Sequence, residues 1–491
     1  MKILAGAVVA FVTIVTPVAA QLQSRQYSNP SVPSRAALER VNLQLAWRTY
    51  LPVGGRRDGI LSVQQLDQKL IVVQTLSGVV VAIEAETGIV RWKAHVGSPY
   101  QTSQQVGYNS QHLFAVRGDR VFALDRVTGR LLWKYVMPNA ACAAPLADDE
   151  GLYLSLGVGR VYAYALPDLD QWQREHKDQE KRSEYATARS VSLELYGGSS
   201  GISSESLADL RKDVGPEPDL AWEYLFEAGR ISLTPLQTPE ALLFATGNGW
   251  VFATSKFQEH ERFRFQAEAP VSAPLGQHGD MAYIASEDYN LYAASIAAGK
   301  VRWRFTAGAP ILQKPAVTDK DVFVVGDRRG LYRVNRADGK AVWRNTRALQ
   351  FLAANPKFVY AFDRIGRLLV LDYERGSQLA MLPTRDFVVP IGNELNDRLF
   401  LAAHNGILVC LHDRNLKAPV VNKTVVEMKV EGFKKDEEKK KPKEKPKEKP
   451  KENGDDDEKP KEKKKDKDDK ENGDGEKPKE KKKDKDDKEK E

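Results

Sequence analysis

Gly197-x-Ser199-x-Gly201 follows a strand-like run, Val191 to Tyr196, and has the spacing of a nucleophile elbow. That motif sets a serine on a sharp turn in a parallel α/β sheet, with an acid and a histidine brought in from elsewhere. The stretch around it, about Asp168 to Leu220, is rich in Gln, Glu, Arg and Lys and too short to supply such a sheet. The glycines and serines therefore read as a flexible loop. Arg117-Gly118-Asp119 spells an adhesion tripeptide, but Gly-Asp falls where a hairpin must turn, as do Gly157-Val158-Gly159, Asn248-Gly249 and Asn405-Gly406. The seven histidines, at 95, 112, 176, 260, 278, 404 and 412, are scattered along the chain and show no His-Glu-x-x-His spacing. Cys142 and Cys410 lack zinc spacing, and calcium-loop spacing of Asp and Asn is absent. No catalytic, metal or cofactor site is assigned. Asn422-Lys423-Thr424 is a glycosylation sequon.

The elements that must carry these residues are announced by a phrase that returns about every 40 residues. It reads Ala82-x-Glu84-x-x-Thr87-Gly88-x-x-x-Trp92, then Ala123-x-Asp125-x-x-Thr128-Gly129-x-x-x-Trp133. Degenerate copies run from Ala293 through Gly299 to Trp303 and from Arg333 through Gly339 to Trp343. Branched apolar and polar positions alternate around a Thr-Gly turn, which predicts two antiparallel strands and a tight hairpin. Strand-rich units of this period mark propeller blades. We expect eight four-stranded antiparallel blades in one all-β ring. Their outer strands are anchored by Trp92, Trp133, Trp172 or a neighbour, Phe263 or Phe265, Trp303, Trp343 and Ala380, with a last unit through Gly406 to His412. That unit lacks a final strand. Leu43 to Arg48, with Trp47, reads as an orphan outer strand that closes the ring and removes an exposed edge. Each Trp is expected to pack between blades, over the Thr-Gly turn and the small Ala two strands in.

Residues 1–20 carry Lys2, an apolar run from Ile3 to Val15 and Pro17-Val18-Ala19-Ala20, the plan of a secretory signal peptide. No Cys stands directly after the cleavage site, so the usual bacterial lipoprotein anchor is not expected, and no membrane-spanning segment is expected in the mature chain. The two cysteines fall in blades far apart, too far for a disulfide. The net charge of +7 does not indicate nucleic acid: residues 434–491 hold 25 Lys against 23 Asp and Glu, with no aromatic or aliphatic side chain. Partly made by duplication of EKPKEKKKDKDDKE at Glu458 and Glu476, this tail cannot bury enough apolar surface to order itself. The organisation expected is residues 1–20 signal peptide, 21–40 linker, 41–420 propeller with an insertion at 168–220 between blades, after blade three, and 434–491 disordered tail.

In an antiparallel blade the turns joining strands one to two share a face with those joining three to four. The one-to-two turns hold Asp67, Asp148, Asp149, Glu150, Glu240, Asp280, Asp319, Asp321, Glu394 and Asp397. The two-to-three turns hold Arg117, Arg120, Arg160, Arg328, Arg329, Arg364 and Arg367. An acidic and a mildly basic face are expected, and such a field steers partners to one side.

The phrase at Ala82–Trp92 and Ala123–Trp133 resembles the repeat of the pyrroloquinoline-quinone-type propellers, and the resemblance spans roughly Val41 to Asn415. It implies that Ala82, Gly88, Trp92, Ala123, Gly129, Trp133, Ala293, Gly299, Trp303, Gly339, Trp343 and Trp47 dock blades. The family includes quinone-dependent dehydrogenases, which use a vicinal disulfide and a calcium ion. It also includes the non-enzymatic propeller subunit of the outer-membrane β-barrel assembly machinery. This chain has no adjacent Cys pair. In size and export signal it is closer in kind to the assembly subunit. The expectation is a non-enzymatic, exported, periplasmic or secreted scaffold for envelope proteins, with outer-membrane proteins among its partners. A PQQ-dependent dehydrogenase is the alternative.

Overall fold

The computed structural model describes residues 30–51, 53, 58–157, 159–169, 216–226, 229–257, 260–389 and 391–424. The signal-peptide segment, the Gly197 to Gly201 motif, Trp172 and the Lys-rich tail lie outside the described residues. Eight antiparallel sheets follow one another along the chain. Seven have four strands in sequential order: residues 60–95, 107–136, 146–225, 236–266, 276–306, 316–345 and 348–382. The eighth combines both ends of the propeller. Its outer strand Leu43–Tyr50 pairs antiparallel with Ile407–Asp413, Trp47 opposite Cys410. Ile407–Asp413 pairs in turn with Leu399–Ala402, and a bridge from Val389 to Ala402 marks the innermost position. The result is an eight-bladed propeller closed by its N-terminal strand, which leaves no blade edge open at the seam.

Blade three corrects the expected insertion. Arg160–Ala165 pairs with Asp219–Leu225, and Ala163 faces Trp222, so the outer strand is anchored by Trp222. The segment between connects the third and fourth strands of one blade, and Asp219 and Leu220 already belong to the outer strand. Residues 35–40, expected in the linker, form a helix capped by Ser34, and its Leu38 is buried against blades seven and eight.

The core is divided into eight wedges, each made by the facing surfaces of two neighbouring blades. Middle strands are covered on both faces, so Gly151–Leu156 and Asp321–Gly326 are buried throughout. Outer strands are covered on one face, and Leu43–Tyr50 alternates accordingly. This is why the sequence shows continuous apolar runs beside alternating ones.

The repeated phrase fastens one wedge to the next. Trp92, Trp133, Trp222 and Trp303 lie directly opposite Ala82, Ala123, Ala163 and Ala293 in register, on the adjacent strand and not two strands in. A register shift follows each of these alanines and turns the ring toward the next blade. There the indole nitrogens of five of the tryptophans donate to one equivalent carbonyl: Trp47 to Ala85, Trp92 to Arg126, Trp303 to Arg336 at 3.0 Å, and Trp222 to Lys256 and Trp343 to Tyr373 at 2.8 Å. The ring plane lies on the turn glycine. A Cβ on Gly129 would stand 2.4 Å from Trp92 Cε3, and Gly88, Gly339 and Gly376 meet Trp47, Trp303 and Trp343 in the same way. The turn is held by its acid: Asp125 Oδ1 accepts from the Val127 and Thr128 amides and the Thr128 hydroxyl. In blade four Phe263 takes the place of the indole, against Gly299.

Gly129 has φ +73, and Gly279, with φ +55, has nothing within 4 Å of the place a Cβ would take. Both alanine variants carry the left-handed cost of about 1–2 kcal/mol. Gly129→Ala adds overpacking of about 1–3 kcal/mol. Denaturant unfolding is expected to show a loss of about 2–5 kcal/mol for Gly129→Ala and about 1–2 kcal/mol for Gly279→Ala; equal losses would rule out the indole as the partner that matters.

Candidate functional site

The face carrying the one-to-two turns is crossed in part by the chain that follows the last strand. Residues 414–424 cross the turns of blades eight, seven and six. Val420 N donates to Asp397 Oδ1 at 2.9 Å and Asn422 N to Leu395 O at 2.9 Å. Asn422 Nδ2 donates to Ala354 O at 2.6 Å, so the sequon nitrogen is engaged in this strap. Thr424 donates through its amide and hydroxyl to Asp319, at 3.0 and 2.8 Å, and His278 Nε2 lies 2.8 Å from the same carboxylate. Glu394 accepts from Lys423 Nζ at 2.8 Å, Lys314 Nζ at 3.3 Å and the Val317 amide at 3.0 Å. Burial alone would raise the Glu394 carboxyl, but the two ammonium groups and the amide prevail and hold it down at about 2.

Most other carboxylates expected to charge this face are engaged internally. Asp148 is paired with Lys256 at 2.7 Å, with only 6% and 1% of the two side chains exposed. Asp321 meets Arg333 at 3.0 Å, Asp67 pairs with Arg126, and Glu240 with Arg262 at 2.9 Å. Asp149 accepts from the Ser110 amide and hydroxyl. Counting acids in turns therefore overstates the charge that this face presents to a partner.

The arginines of the opposite face divide into two groups. Arg117 is corrected: it is 1% exposed, and its Nη2 donates to Thr75 O at 2.6 Å, tying blade two to blade one. Arg120 leans toward Asp119 at 3.9 Å, and Arg160 pairs with Glu223 of its own blade. Arg328, Arg364 and Arg367 are brought together, with Arg347, around a cavity of about 510 Å³ between blades six and seven. Arg329 is exposed beside it, and its carbonyl accepts from Arg344 Nε at 2.9 Å.

Cys142 and Cys410 are free, and among the described residues no three His, Cys, Asp or Glu side chains are placed to hold a metal ion. No helix of the described residues is long and apolar enough to cross a membrane.

The family described as outer membrane protein assembly factor BamB matches residues 76–208 and 242–426, more than half of the chain. The chain belongs to that family. Among solved structures it is similar to BamB from Moraxella catarrhalis, at 13% identity and a TM-score of 0.53, over 75% of this chain and 97% of that one. It is also similar to the computationally designed Ika8 protein, at 10% identity and a TM-score of 0.50, over 73% of this chain and 98% of that one. At these identities the likeness is one of fold. No curated protein sequence matches the chain.

This BamB-family ring has an inner fastening that reading the sequence missed. Gln64 donates to Val106 O at 3.1 Å, Gln104 to Ala141 O at 3.4 Å, Gln237 to Ala147 O at 3.1 Å, Gln277 to Gln237 O at 2.6 Å and Gln313 to Leu349 O at 2.9 Å. Each joins neighbouring blades near their first strands. The signal was present, since Gln64 and Gln104, and Gln237 and Gln277, are each one repeat apart.

The strap supplies a pH test. A carboxyl depressed from 4.5 to about 2 contributes its full stabilisation above pH 4.5 and loses it as pH falls through about 2. Amide exchange at Asn422, whose acceptor is the Leu395 carbonyl, is expected to be unchanged between pH 7 and pH 5 after correction for intrinsic rates. Glu394→Gln at pH 7 removes hydrogen bonds to charged groups, about 1.5–3 kcal/mol, and should speed that exchange about ten- to a hundredfold. Unaltered exchange in the variant would show that Glu394 does not hold the strap.

Proposed function

We propose that this propeller is a non-enzymatic scaffold of the cell envelope that binds protein partners during outer-membrane protein assembly. The family description supports the reading, as does the likeness in fold to a BamB propeller. The observation that carries it is the use made of the repeat. The Trp, Gly and acidic residues that resemble a quinone enzyme family are consumed in blade-to-blade contacts, and the arginine face and the segment inserted in blade three stand outside the repeat. Residues 1–20 direct export to the periplasm, the ring serves as the binding module, and residues 434–491 act as a disordered, solvating spacer. Outer-membrane β-barrel proteins and their assembly components are the partners proposed.

The quinoprotein alternative shares the blade phrase. The purified chain, supplied with pyrroloquinoline quinone and calcium, is expected to acquire no bound chromophore and to give no dye-linked alcohol oxidation. In its own envelope, crosslinking is expected to recover assembly components, and deletion of the gene to lower outer-membrane barrel levels. Quinone-dependent turnover together with unchanged barrel levels would reverse the assignment.

A further inference from the structure

We infer that the cavity between blades six and seven is a docking groove for a short, extended, acidic segment of a protein partner. This deepens the scaffold reading and rests on it for the partner being a protein. The groove has about 510 Å³, within the range of sites that hold small ligands or a short length of chain. Its rim carries four guanidinium groups, from Arg328, Arg347, Arg364 and Arg367, against two carboxylates, Asp327 and Asp363. Asp363 is spent on its own turn: Oδ2 accepts from Arg367 Nε at 2.6 Å and Oδ1 from the Ile365 and Arg367 amides. Among the described residues the Asp327 carboxylate reaches only Arg328, at 3.7 Å. The Arg347 and Arg364 side chains are exposed and make no hydrogen bond or ion pair among the described residues. Two planar, bidentate donors are thus left facing solvent, the arrangement that recognises carboxylates.

The walls select a peptide over a flat anionic surface. Leu312 and Ile365 are 48% and 44% exposed at this groove, so apolar area alternates with the arginines, as in the centre of a protein interface. Arg328, a non-glycine residue, is held at φ +54, a strained conformation of the kind kept at binding sites. A carboxylate on either side of one apolar side chain would satisfy both features.

The probe is a fluorescein-labelled hexapeptide, Asp-Glu-Leu-Phe-Asp-Glu, with its amide counterpart Asn-Gln-Leu-Phe-Asn-Gln, followed by anisotropy with the full chain at low salt. The acidic peptide should bind and the amide peptide should not. R347E/R364E should weaken binding by about tenfold or more, while K93E/R302E, which changes net charge equally on blades one and five, should alter it by less than about twofold. If R347E/R364E does not fold, R347Q/R364Q is read in its place and should weaken binding in the same direction. Equal binding of the amide peptide, equal loss in the control pair, or binding of phosphatidylglycerol vesicles through Arg347 and Arg364 without peptide binding would each overturn the groove as a peptide site. Envelope crosslinking can succeed when the peptide fails, so loss of this inference is distinguishable from loss of the scaffold reading.

Discussion

The ring stands on one contact made repeatedly: an indole from the outer strand of one blade lying on a left-handed glycine in the next. Only glycine permits it, since a side chain there would occupy the space of the ring, as the 2.4 Å approach at Gly129 and Trp92 shows. The indole N–H is buried by the same contact and needs an acceptor, and the carbonyl of Arg126 supplies one. That carbonyl is in place because Asp125 holds the turn and because the turn closes from Gly129 N to Asp125 O. Ala, acid, Thr-Gly and Trp are therefore one mechanical unit. Each member is required by the position of another.

Where the unit decays, other forces join the blades. Ala380 faces Val370 on the outer strand of blade seven and offers neither area nor donor. At that joint Asp413 accepts from Asn355 at 3.2 Å and from Asn42 at 2.8 Å, and Leu38 of the short helix fills the wedge. Between blades three and four the buried Asp148–Lys256 pair adds to the Trp222 bond. Breaking such a pair from one side leaves an uncompensated charge, so it enforces register strongly even where it adds little net stability. Leu166 and Leu169, at the start of the segment inserted in blade three, pack against the cluster that buries Trp133.

What was legible in the sequence was what is local. The strands, the hairpins and the Trp spacing could be read because alternation and turn residues act within about a dozen positions. Closure of the ring by Trp47 was legible because a lone outer strand has one place to go. Trp222 was missed as the anchor of blade three because more than 50 residues separate it from the strand it pairs with. Arg117 was misplaced because a turn position does not tell which way a long side chain folds; here it reaches inward to the Thr75 carbonyl. Three of the arginines expected on a basic face were found together, but Arg347, which joins them, comes from a different kind of connection, between blades six and seven.

The two faces differ for a reason that lies in the geometry of a ring. One-to-two turns belong to the innermost strands, so on that face they converge, and unpaired carboxylates there would repel at short range. The chain answers by pairing them: with Lys256 and Arg126 from outer turns, with Arg333 from the third strand of blade six, and with Lys423 and Thr424 from the strap. The strap can cross three blades because those turns stand close together. Two-to-three turns lie farther from the axis, where spacing and water screen like charges. Arg364, in such a turn, can therefore remain unpaired on that side at small cost. A propeller of this kind spends the charge of its crowded face on its own cohesion, and leaves charge available to a partner where its blades diverge.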